Sequence, residues 1–155
     1  MANHLDVPRA EADEILSSKK VAPHAEFRLS AIGQRGSWEL AVGVTTEKGL
    51  YKKSLTIELM CQQTLKPYRT NFKFSLFLSE HGRMQRVYQL DTTSTPICDE
   101  GEHGWPHQHI GQDRVGFGSS YPVNFAESVA YFCKETNVEF EEQIDSPFDF
   151  KLRPT

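Results

Sequence analysis

The chain has 155 residues, a formal net charge of −4 and 38% hydrophobic residues, enough to bury one core without metal or disulfide support. No apolar run approaches the roughly 18 residues of a membrane helix and no signal-peptide core is visible, which points to one soluble cytoplasmic domain over 1–155. Cys61, Cys98 and Cys133 are odd in number and scattered, which argues against a disulfide framework and suits a reducing compartment.

In chain order, residues 1–7 are expected to fray. Pro8 to Lys20 reads as an amphipathic helix: proline suits the first turn, Ala12, Ile15 and Leu16 share a face, and Lys19 and Lys20 complement the C-terminal end of the dipole. Period-two alternation then recurs four times, through Phe27, Leu29 and Ala31; Trp38, Leu40, Val42 and Val44; Tyr51, Leu55, Ile57 and Leu59; and Phe72, Phe74, Leu76 and Leu78. The connections Gly33 to Gly36, Thr46 to Gly49 and Glu80 to Arg83 carry hairpin chemistry. A fifth strand, Met84 to Asp91, sets Met84, Arg86, Tyr88 and Leu90 on one face and Gln85, Val87, Gln89 and Asp91 on the other.

Residues 92–122, rich in Thr, Ser, Pro, Gly and His, are expected to form one long loop, a length that points to function in a compact domain. Asn124 and Glu127 form an N-cap signature, and Phe125, Val129, Phe132 and Cys133 make an apolar stripe, so a second helix begins there. Phe140, Phe148 and Phe150 suggest that the acidic tail docks on the body. The sequence therefore predicts an α+β fold, an antiparallel meander of about five strands with an N-terminal and a C-terminal helix packed on it.

The long loop holds the densest chemistry. His103, His107 and His109 fall within seven residues. Alternate residues of an extended segment point to one side about 6–7 Å apart, so His107 and His109 can present two imidazoles to one substrate or one metal ion. Trp105 and Pro106 stiffen the approach. Two chemistries stay open. A metal-free ribonuclease needs a base, an acid and a cation, roles that His107, His109 and either Arg86 or Arg114 can fill, with Tyr88 orienting a phosphate or stacking on a base. A metal-dependent hydrolase would use His103, His107 and His109 as ligands to a divalent ion such as Zn²⁺, with Asp99, Glu102 or Asp113 as carboxylate ligand or base, while Cys98 with the same three histidines could supply the mixed S/N ligands of a closed structural zinc site. The absence of HExxH, nucleophile-elbow and P-loop patterns argues against proteases of that zinc class, common serine hydrolases and NTPases.

Charge is unevenly spread. Lys48 to Arg86 carries eight basic and two acidic residues, whereas Lys134 to Thr155 carries six carboxylates and three cations. A basic middle feeding into the histidines suits RNA or another nucleic acid as partner. The acidic end suits a different class, a non-enzymatic binding protein or inhibitor, antitoxin-like or a phage-encoded anti-defence protein, acting through Glu139 to Asp149.

The order of parts resembles the small bacterial TumE-like toxin family over about residues 70–135: an antiparallel sheet, a last strand with Arg86, Tyr88 and Asp91, the run Pro106, His107, His109 and Gly111, then a helix. Gln108 stands where that family has a further histidine. The resemblance implies the toxin of a two-gene toxin–antitoxin module, acting on RNA or another component of translation and neutralised by a partner protein, so that a protein partner, an antitoxin or a host target, is expected.

Overall fold

A computed structural model of the chain describes residues 5–29, 37–46, 54–65, 68–96, 98 and 104–148. Its order is α1 (Arg9–Ser17), β1 (Lys20–Ala22), β2 (Arg28–Leu29), β3 (Ser37–Thr46), β4 (Ser54–Leu65), β5 (Tyr68–Glu80), β6 (Arg83–Thr93), β7 (His107–Ile110), β8 (Asp113–Gly116), α2 (Phe125–Thr136) and β9 (Val138–Phe140). Among the described residues nine strands form one sheet in the order β8-β7-β6-β5-β4-β3-β1-β9, with β2 beside β3. The fold is α+β, as its residues predict, but the sheet is larger than a five-strand meander and not wholly antiparallel. β9 joins the edge parallel to β1, Lys20 opposite Val138 and Ala22 opposite Phe140.

The long central strands follow from alternation. Leu40, Leu59, Phe74 and Leu90 lie side by side across β3 to β6, all at most 1% exposed, and Val42, Ile57, Leu76 and Tyr88 form the next row. Both helices cover this face. Phe132 of α2 packs edge-on to Phe74 at 6.0 Å and against Tyr88 at 5.9 Å, while Phe125 meets Phe27, Phe72 and Phe74. Burying such an aromatic stabilises by about 3–5 kcal/mol relative to alanine.

Helix ends follow local chemistry. Asn124 Oδ1 accepts from the Glu127 amide at 2.8 Å, a side-chain N-cap, and Glu127 Oε2 accepts from the Val123 amide just before it at 3.1 Å. Asn137 ends α2 in the left-handed conformation at φ 59°. The first helix is shorter than expected: Pro8 is its N-cap, and Lys20 already belongs to β1. Lys20 is 1% exposed and donates to the carbonyls of Ser18 at 2.6 Å and Thr136 at 2.8 Å, so one ammonium serves the C-terminal ends of both helices. Burial pushes it down to about 8.

Three expectations are corrected near the histidines. Residues 92–122 are not loop throughout: β6 runs to Thr93, and β7 and β8 form a hairpin closed by Gly111 and Gln112. Gly111 has φ 57°, the sign a two-residue turn demands at its first central position, and a Cβ there would lie 2.6 Å from the Val7 carbonyl oxygen. Residues 5–7 do not fray. Arg86 donates its amide to the Leu5 carbonyl at 2.7 Å and accepts from the Val7 amide at 3.1 Å, extending the pairing of β6 past the end of β7. A register shift at Leu76 and Phe77 places Arg86 opposite Phe77 and Tyr88 opposite Leu76, so the two residues do not share a face. The hairpin turns expected at Gly33 to Gly36 and around Thr46 to Gly49 lie outside the described residues or at their edge. The turn at His81 and Gly82 is present, with φ 52° and 76°.

Candidate active site on the open sheet face

The apolar core and both helices lie on one face of the sheet, and the register of the other face assembles a polar track. One row runs Glu39, Met60, Lys73, Asp91, His107 and Gly116 across β3 to β8. The next runs Ala41, Glu58, Ser75, Gln89, His109 and Arg114. Period-two geometry therefore sets both histidines on the open face and turns Gln108, between them, into the core. Gln108 is buried, accepts from the Tyr88 hydroxyl at 2.8 Å and donates to the Tyr131 hydroxyl at 3.1 Å.

His107 and His109 stand edge to face, ring centroids 4.9 Å apart and planes at 85°. His107 Nδ1 lies 2.9 Å from the Trp105 carbonyl oxygen and 3.3 Å from an Arg114 nitrogen. One ring nitrogen cannot donate to the first and accept from the second. The shorter contact to a pure acceptor fixes Nδ1 as the protonated nitrogen, and Arg114 is then a cation beside the ring rather than a donor to it. Nε2 is left for proton exchange, 3.7 Å from Asp91 Oδ2. The approach to β7 is held by Trp105, whose ring meets Tyr121 at 5.4 Å and whose Nε1 donates to the Gly118 carbonyl at 3.4 Å.

His109 differs from its neighbour. Burial first, then the positive charge of Arg86 and the proximity of His107 and Arg114, hold it down to about 4, against a smaller upward pull from Asp6. It is a neutral imidazole at pH 7. Arg86 itself is firmly held: Nε and a terminal nitrogen donate to the two Asp6 oxygens at 2.9 and 3.0 Å, the other terminal nitrogen donates to Gln89 Oε1 at 3.0 Å, and Gln89 passes its own donor to Ser75 Oγ at 2.8 Å. Three of its five N–H groups are engaged, so Arg86 shapes the field at His109 more than it offers a free clamp. Arg114 is exposed on the edge hairpin.

Tyr88 stands apart from this cluster. It is wholly buried on the helix-covered face, and burial holds its phenol far above the ordinary range, so it neither orients a phosphate nor stacks on a base at the histidines. Asp113 lies at the turn end of β8, 3.1 Å from Arg9. His103, Asp99 and Glu102 lie outside the described residues. Among the described residues no three His, Cys, Asp or Glu side chains converge on one point.

Sequence reasoning missed Asp6, Lys73, Ser75 and the role of Gln89. Alternation along β5 and β6 carried the signal for Lys73, Ser75 and Gln89; nothing in the sequence links Asp6 to Arg86, 80 residues away. No protein-family model, curated protein or solved structure matches the chain. Among the described residues no helix is long and apolar enough to cross a membrane.

Proposed function

We infer that the open sheet face cleaves RNA by histidine acid–base chemistry, in the setting of a toxin-like protein that a partner holds in check. The observation that carries this reading is the inequality of two adjacent imidazoles: His109, neutral and ringed by cations, beside His107, whose free Nε2 faces a carboxylate. Two titratable groups with unlike environments are what a base and an acid require.

His109 takes the proton of a ribose 2′-hydroxyl. The 2′-oxygen attacks the neighbouring phosphorus, the bond from phosphorus to the 5′-oxygen breaks, and His107 Nε2 delivers a proton to that leaving oxygen. The products are a 2′,3′-cyclic phosphate and a free 5′-hydroxyl. An anionic phosphodiester against His109 offsets the cations that depress it and makes the ring a stronger base. Arg114 carries the charge that builds on the phosphate oxygens. The resemblance to TumE-like toxins supports RNA as the substrate and an antitoxin as the partner.

The test is cleavage of a labelled RNA oligonucleotide in excess EDTA by the wild-type protein and by the His107→Ala/His109→Ala double variant. Cyclic-phosphate ends that vanish in the variant support the reading. Cleavage that persists in the variant refutes it, and cleavage that EDTA abolishes moves the same histidines to a metal-assisted hydrolysis with a divalent ion such as Zn²⁺.

A binding protein or inhibitor is the second reading. Glu139, Glu141 and Glu142 are exposed beside an apolar groove of ≈ 710 Å³ between α2 and residues 138–146, a surface that a basic protein partner would fit. Neutralising those three carboxylates would abolish inhibition and leave RNA cleavage untouched.

A further inference from the structure

A second cavity, ≈ 170 Å³, opens on the same face next to the histidines, lined by Arg69, Asn71, Asp91, Thr93, Pro96 and Pro106. It shares Asp91 with the site already described, and Pro106 directly precedes His107. Two of the residues that line it each carry a buried polar atom without a hydrogen-bond partner among the described residues, Arg69 Nε and Thr93 Oγ1, Thr93 being 7% exposed. A buried polar atom left unmatched is costly, and a lining made of an arginine, a threonine and an asparagine suits an anion with several acceptor oxygens. The Asp91 carboxylate is the opposing charge, and it lies on the histidine side, directly across from Lys73 and His107. The wall itself is fixed: Ser94 Oγ accepts from the Thr70 amide at 2.9 Å and the Ser94 amide donates to the Thr70 carbonyl at 2.8 Å.

The register places this cavity one two-residue step along β5 and β6 from the histidine row, because Asn71 pairs with Thr93 as Lys73 pairs with Asp91. That step is about 7 Å, within the reach of one nucleotide of an extended single strand. We propose that the cavity is a second phosphate subsite, which takes the phosphate adjoining the scissile one and so makes single-stranded RNA with at least two consecutive phosphates the substrate class. This rests on the RNA-cleaving reading of His107 and His109.

Two measurements separate the two claims. In the first, inorganic phosphate is titrated into the isotope-labelled protein and the backbone amides of Asn71 and Thr93 are followed by NMR. Saturable shifts there that persist in the His107→Ala/His109→Ala variant and weaken about tenfold in Arg69→Gln and Thr93→Val support the subsite. Shifts confined to the histidines, or unsaturating shifts spread over the surface, overturn it. In the second, cleavage of a dinucleoside monophosphate is compared with two trinucleoside diphosphates in which a 2′-deoxy sugar leaves one cleavable linkage on either side. One trinucleotide should show a KM about tenfold lower at similar kcat, and Arg69→Gln or Thr93→Val should remove that advantage while sparing the dinucleotide. Equal losses on both substrates overturn the proposal. Saturable phosphate binding at Asn71 and Thr93 without any RNA cleavage keeps the subsite and sinks the catalytic reading.

Discussion

His107 stands directly across from Asp91 in the pairing of β7 with β6, and its Nε2 lies 3.7 Å from Oδ2. Because Nδ1 is committed to the Trp105 carbonyl, Nε2 is the nitrogen that would pass a proton in the proposed reaction, with the Asp91 charge facing it. Asp91→Asn should lower kcat about tenfold to a hundredfold with little change in melting temperature, against about a hundredfold or more for His107→Ala. Asp91→Glu should recover part of the loss. Unchanged kcat in Asp91→Asn removes Asp91 from the mechanism.

His109 gives the fold a pH dependence with a definite sign. It is held at about 4 in the folded chain against about 6.5 in an unfolded one, so between those values the unfolded chain binds a proton that the folded chain does not. Stability from this group is complete above about pH 6.5 and falls as the pH drops toward 4. For a partly exposed ring, solvent screening leaves an effect of about 1–2 kcal/mol. Urea midpoints at pH 7 and 4.5 should therefore converge in His109→Gln relative to wild type. A variant with the full wild-type pH dependence would show that another group is responsible.

The Asp6 pair with Arg86 makes a separate prediction, since removal of one partner strands the other's charge in a largely buried setting. Asp6→Asn should destabilise by about 2–4 kcal/mol in urea. It should also push His109 lower still, because Asp6 is the group that pulls it upward. The first effect is read from the unfolding midpoint and the second from the His109 ring protons during an NMR pH titration. A titration midpoint that rises in Asp6→Asn contradicts the electrostatic account of this site.

Parts of this architecture are written locally and parts are not. The strands β3 to β6 and the N-cap of α2 follow from alternation and from Asn124 and Glu127, signals that lie within a dozen residues. The same alternation sets His107 and His109 on one side. The hairpin of β7 and β8 escapes because each strand has four residues and the polar Gln108 interrupts the aliphatic pattern of its core face. β9 escapes because three residues carry no period, and its parallel pairing with β1 is set by where α2 ends. The bulge between Arg86 and Tyr88 reverses the face that strict alternation assigns to Arg86, which moves it beside the histidines. The Asp6 contact is long-range and needs the folded sheet edge to exist.

Gly111 ties the edge hairpin to the N-terminal segment. Its amide donates to the Val87 carbonyl at 2.8 Å, its φ is 57°, and an added Cβ would meet the Val7 oxygen at 2.6 Å and Ala12 Cβ at 3.1 Å. Gly111→Ala combines strain from the left-handed backbone with a backbone clash, so about 2 kcal/mol or more of stability should be lost. Hydrogen exchange should quicken at Ile110 and Val7 more than in β4. A protein as stable as wild type would show that the hairpin can shift without cost.

Tyr88 separates the two faces of β6 experimentally. Its hydroxyl donates to Gln108 Oε1, and Gln108 lies between the two histidines in sequence while pointing the opposite way. Tyr88→Phe leaves the buried Gln108 oxygen without that donor, a loss of about 1–2 kcal/mol. Because the ring remains packed against Phe132, β7 should keep its register and RNA cleavage its kcat. Stability should fall while turnover stays within about twofold. Were kcat to drop a hundredfold with little loss of stability, the chemistry would belong to the helix-covered face, and the open-face assignment of His107 and His109 would fail.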